Sequence, residues 1–148
     1  FDQTGRINET ESIDTLYYTY GWQGLLSRIA RLEDAHTFLI QLNKEVTRLR
    51  ELGWDPKIRL IGYSHGGTVI LKLALAKCLY NIKPLFDVDE MYIMGTPIQY
   101  DSDYLINDPL FKKIYNIYSG GDRFQKMDFF SAGQFFSDRR FAPHCGFE

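Results

Sequence analysis

The chain has 148 residues, of which 45% are hydrophobic and 16% aromatic, so it can bury a core of its own and is not a disordered segment. Its 17 basic and 19 acidic side chains are interspersed and leave a net charge of −2, which argues against a nucleic-acid partner. No stretch of the sequence approaches the roughly 20 apolar residues of a membrane span, so we expect no transmembrane segment.

The two cysteines, Cys78 and Cys145, lie far apart and neither belongs to a C-x-x-C pair, so we expect no zinc or thioredoxin-like site. A disulfide between them stays open, with the reduced state as the default. The first fourteen residues are polar and turn-like and lack the basic region and the apolar region of a signal peptide. The cellular compartment of the protein therefore stays open, with the cytoplasm as default. A start at Phe1 is typical of a processed product or a fragment.

The first predicted strand is the aromatic, apolar run from Leu16 to Tyr20, which ends at Gly21. A long amphipathic helix follows, because apolar residues between Leu32 and Leu49 recur at spacings of three and four. Gly53 and Pro56 are expected to end this helix.

Strands and helices then alternate along the chain. This order predicts the α/β class, with a mostly parallel sheet that has helices on both faces. There is no internal repeat and no low-complexity linker, so residues 1–148 are expected to form a single domain. The predicted elements are a strand near Ile58, a helix near Leu73, a strand near Met91, a helix near Leu110 and a strand near Ile117.

The strand near Ile58 is short, apolar and rich in β-branched residues, which predicts burial on both faces of the sheet. The helix after it is predicted to be largely buried as well. We expect Cys78 on a buried side of that helix, with Lys72 and Lys77 along its more hydrated edge.

The most specific motif of the chain is G-Y-S-H-G-G at residues 62–67, a G-x-S-x-G between the predicted strand and the predicted helix. This context is typical of a nucleophile elbow, a sharp turn that presents one serine hydroxyl while Gly62, Gly66 and Gly67 leave room for the tight fold. Ser64 is therefore the candidate nucleophile. The alternative is a glycine-rich turn whose serine only caps the following helix.

A serine nucleophile needs a histidine base that is oriented by a carboxylate, and after an elbow the chain order is serine, acid, histidine. His36 precedes Ser64 on the long helix, and the side chain of His65 leaves the elbow in a different direction. His144 is therefore the candidate base.

Asp122 is the candidate acid, because it follows the last predicted strand after a Ser-Gly-Gly turn and open α/β sheets place their sites at strand carboxyl ends. The alternative is that Asp122 only shapes this turn. Asp87 and Asp89 precede their strand, so we expect them at the opposite end of the sheet.

With these residues the chain resembles the α/β-hydrolase superfamily, in particular its lipase-like and esterase-like members. Residues 91–97 look like the lipase strand that ends in Gly-Thr-Pro beside the active site, and residues 114–122 look like the strand whose terminal turn carries the acid. The resemblance covers about Leu16 to Asp122. It implies more strands than the four predicted here, so we expect the domain to be incomplete at the N-terminus, while completeness at the C-terminus stays open.

The resemblance also implies an oxyanion hole made by the backbone N–H of His65 and by a second N–H from an earlier loop that is not visible in this sequence. It further implies an additional strand before the catalytic histidine. The base is therefore either His144 or a histidine beyond Glu148.

The function implied is that of a serine hydrolase that cleaves a carboxylic ester, with a small ester or a lipid as substrate, through an acyl-enzyme on Ser64. No metal and no organic cofactor are implied. The alternatives are a non-catalytic hydrolase-like domain that binds an apolar ligand or a protein partner, and an acyltransferase with the same nucleophile. The oligomeric state stays open.

The segment from Phe124 to Phe147 holds seven of the eleven phenylalanines of the chain. It has two interpretations, an apolar cover over an acyl-binding site or ordinary packing against the edge of the sheet.

Overall fold

The computed structural model of the chain describes residues 2–7, 15–25, 27–98 and 102–118. In chain order the elements of these residues are β1 (Asp2–Ile7), β2 (Thr15–Thr19), α1 (Arg28–Glu51), β3 (Ile58–Tyr63), α2 (His65–Leu71), α3 (Leu73–Leu79), β4 (Val88–Met94), a 3₁₀ helix (Asp103–Asn107) and β5 (Ile114–Ile117).

The strands β3, β4 and β5 form a parallel sheet in that order. Leu60 pairs with Met91 between β3 and β4, and Ile93 pairs with Asn116 between β4 and β5. A parallel pair needs a crossover connection, and α2 with α3 supplies the one between β3 and β4. The predicted α/β class with parallel strands is confirmed for these three strands.

The strand β2 was expected from the sequence, but its partner was not. Residues 2–7, predicted to be turn-like, form β1, which pairs antiparallel with β2 in a separate two-stranded sheet. Asp2 lies opposite Thr19, and Ile7 lies opposite Thr15. Antiparallel pairs tolerate polar side chains on a solvated face, so the polar composition of residues 2–7 does not prevent a strand.

The core lies between α1, the α2–α3 pair and one face of the parallel sheet. Helix α1 contributes a stripe of apolar residues at helical spacing, as its sequence predicted, and its last turn carries Arg48 and Arg50. None of the helices in the described part of the chain is long and apolar enough to cross a membrane. Fully buried apolar side chains of the core include Leu39, Val46, Leu71, Leu73, Met91 and Ile93.

Among the described residues nothing covers the second face of the sheet, whereas burial on both faces was predicted. Along β3 burial alternates, so that Leu60 is buried while Ile61 is 61% and Tyr63 71% exposed. On the same face, Tyr92 and Tyr115 stack with their ring centroids 4.4 Å apart. Within the described residues, helices cover one face of the sheet, and the β-branched Ile61 belongs to the other.

The helix after the elbow is interrupted where the sequence predicted it to continue. Helices α2 and α3 meet at Lys72, whose N–H donates to the carbonyl of Thr68 and whose own carbonyl accepts from Ala76. Thr68, Lys72 and Ala76 form a row at spacing four that faces the core, so Lys72 is only 2% exposed. The predictions of a hydrated Lys72 and a buried Cys78 are both wrong, since Cys78 is exposed.

The helix predicted near Leu110 is also absent, and the 3₁₀ helix Asp103–Asn107 precedes that position. Asp108 has extended backbone before Pro109, and its carboxylate accepts a hydrogen bond of 2.9 Å from the N–H of Leu110. A residue before proline avoids helical backbone, and an aspartate that bonds two residues on favours a turn. Leu110 still contributes to the core, as its apolar character requires.

Candidate active site

Ser64 stands at the carboxyl end of β3, in a backbone conformation that L-residues rarely adopt. Its φ is 51° and its ψ −131°, between a strand that ends at Tyr63 and a helix that begins at His65. Its N–H donates to the carbonyl of Met94 at 2.8 Å, so the turn is tied to the end of β4. The side chain is partly exposed. The predicted elbow at Ser64 thus has the sharp, strained strand-to-helix geometry that such a motif requires.

The interpretation of Ser64 as a helix cap is not supported. Ser64 occupies the N-cap position of α2, yet within the described residues its hydroxyl makes no capping hydrogen bond. The first turn of α2 is instead closed by the backbone, since the N–H of Gly67 donates to the carbonyl of Ser64 at 3.0 Å. The hydroxyl is therefore not used to satisfy the helix end.

Glycine is required at two of the three predicted elbow positions. A β-carbon on Gly62 would lie 2.7 Å from both the Cα and the N of Gly67, which is too close for any real contact. A β-carbon on Gly67 would overlap the side chain of Thr96. At Gly66 the nearest atom is the Nε1 of Trp22 at 3.9 Å, an ordinary contact. The tight approach thus joins the residues two before and three after Ser64.

The Gly-Thr-Pro that follows β4 lies next to this turn. Gly95 has φ 57° and its N–H donates to the carbonyl of Ile117 at 2.8 Å, which ties it to the end of β5. Thr96 is 1% exposed, and its hydroxyl has no hydrogen-bond partner among the described residues. The carboxyl ends of all three parallel strands therefore meet at the elbow, as expected for a site in an open α/β sheet.

The loop after β2 also approaches the elbow. It is held to α1 by two contacts to Asp34, whose backbone carbonyl accepts from the hydroxyl of Tyr20 at 2.8 Å and whose carboxylate accepts from the N–H of Gln23 at 3.4 Å. The Nε1 of Trp22 in this loop would lie 3.9 Å from a β-carbon on Gly66. An indole therefore stands beside the first turn of α2.

The side chain of His65 is engaged with α1. Its Nδ1 lies 2.9 Å from the Nη1 of Arg31, and Arg31 has no exposed surface. An arginine can only donate, so Nδ1 of His65 accepts and the neutral ring carries its proton on Nε2. With one nitrogen bonded to Arg31 and the other protonated, His65 has no free lone pair to act as base toward Ser64.

The predicted acid and base, Asp122 and His144, lie outside the described residues, as does the whole phenylalanine-rich segment. The strand that leads toward Asp122 is described: β5 ends at Ile117, parallel to β4 and at the same edge as Ser64. Asp122 follows Tyr118, the last described residue, by four positions. The assignments of Asp122 and His144 stay predictions.

The two rival carboxylates lie at the opposite end of the strands, as the sequence indicated. Asp89 accepts from the N–H of Ile58 at 2.9 Å, at the start of β3, and both Asp87 and Asp89 pair with Lys112 just before β5. Burial opposes the charge of Asp89, but the bonds from Ile58 and Lys112 together hold its pKa below the ordinary value. These groups join strand amino ends rather than serve Ser64.

His36 and an open cleft are further features of the described residues that lie outside residues 62–67. His36 is partly buried on α1 and stacks on Tyr80, with the ring centroids 3.9 Å apart. The described part of the chain contains no group of three or more histidine, cysteine or acidic residues that could hold a metal ion. An open cleft of about 350 Å³ lies at the amino-end side of β4, lined by Arg50, Lys83, Pro84, Leu85, Phe86 and Asp87, and contains none of the elbow residues.

Sequence reasoning missed two residues of this neighbourhood, Arg31 and Asp34. Both are charged and nearly inaccessible to solvent, at 0% and 4% exposed. They lie in phase with the apolar residues Ala35 and Phe38 of α1, at the spacing of three and four that defines its buried stripe. Their position in phase with the apolar stripe of α1 was the sequence signal that could have indicated two buried charged residues.

Comparison with known proteins adds no relative to this picture. No known family matches the chain, and neither a curated protein nor a solved structure is significantly similar to it.

Proposed function

We propose that this protein is a serine hydrolase that cleaves carboxylic esters through an acyl-enzyme on Ser64. The observation that carries the proposal is the backbone of Ser64, at φ 51° and ψ −131°, with a hydroxyl that makes no capping bond within the described residues. A non-glycine residue in such a conformation costs about 1–3 kcal/mol. A glycine would avoid most of that cost, so a serine there is best explained by the chemistry of its hydroxyl.

The reaction follows from the groups around the turn. The Oγ of Ser64 attacks the ester carbonyl carbon while its proton passes to a histidine base, for which His144 is the candidate. The alkoxide leaves with that proton as an alcohol. Water then adds to the acyl-enzyme, again with the histidine as base, and releases the carboxylic acid and free Ser64. Asp122 would orient the histidine.

The negative charge that develops on the carbonyl oxygen needs preorganised donors. In a nucleophile elbow the first donor is the backbone N–H of the residue after the nucleophile, which here is His65, the first residue of α2. Neither a metal nor an organic cofactor takes part in this chemistry. An acyltransferase would share every step up to the acyl-enzyme and differ only in the acceptor.

A binding domain without catalysis is the second candidate, and one observation favours it. Ile61, Tyr63 and Ile117 are each more than half exposed on the open face of the parallel sheet. Such an apolar surface is typical of a contact with a partner or an apolar ligand. A hydrolase requires a reactive hydroxyl at Ser64, whereas a binding domain does not.

The deciding experiment is reaction of the folded protein with a fluorophosphonate probe, followed by mapping of the adduct by mass spectrometry. We expect one adduct, on Ser64, that is absent from Ser64→Ala and from denatured protein. Ser27→Ala is the matched control, because Ser27 also precedes a helix, and it should label like the wild type. A folded wild type in which Ser64 stays unlabelled would refute the hydrolase and favour the binding domain.

Hydrolysis and transfer are then separated by product analysis. With a p-nitrophenyl ester as acyl donor and an added alcohol, a hydrolase yields mainly the free acid. An acyltransferase yields mainly the new ester.

A further inference from the structure

Arg31 is the most deeply buried charged residue near the elbow. It lies in the second turn of α1, has no exposed surface, and reaches the ring of His65 across 34 positions of sequence. Burial of a guanidinium is costly unless its donors are bonded, and the contact with His65 is one of the bonds that offset this cost. The contact joins α1 to the first residue of α2.

The contact fixes the chemical state of His65. Nδ1 must supply a lone pair to Arg31, so the neutral ring is the tautomer with its proton on Nε2. A proton on Nδ1 would set two N–H donors against each other at 2.9 Å, and in the imidazolium it would also bring two positive charges together. The contact also ties the side chain of His65, the residue directly after Ser64, to helix α1.

We propose that Arg31 is a positioning residue: it holds His65 in the Nε2–H tautomer, prevents it from acting as a base, and keeps its backbone N–H aligned for the oxyanion. The catalytic half of the inference, the alignment of the His65 backbone N–H for the oxyanion, rests on the proposed function. Its structural half, the tautomer of His65, holds or fails independently of any activity.

The tautomer is measured first, by two-bond ¹H–¹⁵N correlation spectra of the whole protein with ¹⁵N-labelled histidine. The His65 signals are assigned by their loss in His65→Asn. We expect an unprotonated Nδ1 and a protonated Nε2 at neutral pH, and a shift to mixed tautomers in Arg31→Met. A wild-type His65 with a protonated Nδ1 would overturn the inference whether or not the protein is active.

The catalytic half is tested by two substitutions of His65 that differ in one property. In His65→Asn the side-chain Oδ1 stands close to where Nδ1 stood and can still accept from Arg31, whereas His65→Leu has no acceptor. Complete loss of one oxyanion donor costs about 10²- to 10³-fold in rate, so misalignment should cost less, about tenfold. We expect kcat with p-nitrophenyl acetate to fall about tenfold in His65→Leu and in Arg31→Met, with KM nearly unchanged.

His65→Asn should retain most of the wild-type kcat. Equal losses in His65→Asn and His65→Leu would refute the positioning role, and so would an unchanged kcat in Arg31→Met. If Arg31→Met does not fold, the His65 pair still decides. A wild type without labelling or hydrolysis would refute the proposed function, and the catalytic half with it, while the spectra still report on the tautomer.

Discussion

Ser27 and Ser64 immediately precede the α-helices α1 and α2, and the structure uses the two serines in opposite ways. Ser27, before α1, has φ −65° and ψ 136°, and its hydroxyl accepts from the N–H of Ala30 at 3.5 Å. Ser64, before α2, has φ 51° and ψ −131°, and within the described residues its hydroxyl caps nothing. The residue type and its place before a helix are the same, so it is the backbone that separates a structural serine from a candidate nucleophile.

The difference has a physical cause in what surrounds each turn. Ser27 follows a loop and can adopt the extended backbone that a capping serine needs. Ser64 joins a strand in a sheet to a helix packed on that sheet, and its N–H is already bonded to the carbonyl of Met94. The chain must reverse within one residue there, and the near contact between Gly62 and Gly67 shows how little space the reversal leaves.

The largest expected effect on stability comes from filling the space between Gly62 and Gly67. Gly62→Ala places a β-carbon 2.7 Å from backbone atoms of Gly67, and backbone cannot yield as a flexible side chain can. We expect a loss of about 3 kcal/mol or more in the free energy of unfolding, measured by urea denaturation, because overpacking of this kind has no low-energy relief.

Gly66→Ala is the matched control for Gly62→Ala. Its β-carbon would meet only Nε1 of Trp22 at 3.9 Å, within a helix, where alanine is favoured over glycine by roughly 0.5–1 kcal/mol. It should be as stable as the wild type or more so. Equal stabilities of Gly62→Ala and Gly66→Ala would show that the turn is not closed by the Gly62–Gly67 contact.

An intermediate effect is expected from the conformation of Ser64 itself. Ser64→Ala keeps the β-carbon and therefore the strain, whereas Ser64→Gly removes both. Since the strain is about 1–3 kcal/mol and the entropic cost of a glycine somewhat less, Ser64→Gly should be about 1 kcal/mol more stable than Ser64→Ala. Chemical denaturation of the two variants measures the difference, and a more stable Ser64→Ala would mean that the turn is not strained.

The smallest effect is expected at the capping serine. Ser27→Ala should cost about 0.5 kcal/mol, the low end for a lost cap, because the bond to Ala30 is long and Ser27 is exposed. It should leave labelling of Ser64 by the fluorophosphonate probe unchanged. If Ser27→Ala weakens labelling while it stays folded, the contrast between the two serines would not hold.

The sequence was most informative where local geometry and motif coincide. Residues 62–67 predicted a strand, a sharp turn and a helix, and all three are present, because only a few residue types permit such a turn. The parallel direction of β3, β4 and β5 was predicted from an alternation of strands and helices, and it is present although the helix predicted between β4 and β5 is not.

What depends on distant partners was not predictable from the sequence. The pairing of β2 with β1 depends on register between segments, and the burial of Lys72 and exposure of Cys78 depend on which row of the helix meets α1 and the sheet. Arg31 was missed because its partner, His65, lies on another element.

The close approach of Gly62, Gly67 and Thr96 has a consequence for motion. Gly62 belongs to β3 and Gly67 to α2, and Thr96 follows β4; a β-carbon on Gly62 would collide with Gly67, and one on Gly67 with Thr96. Ser64 therefore cannot be released by fraying of a loop, since the turn opens only when strand, helix and neighbouring strand part together. We therefore expect Ser64, the candidate nucleophile, to open only together with the core.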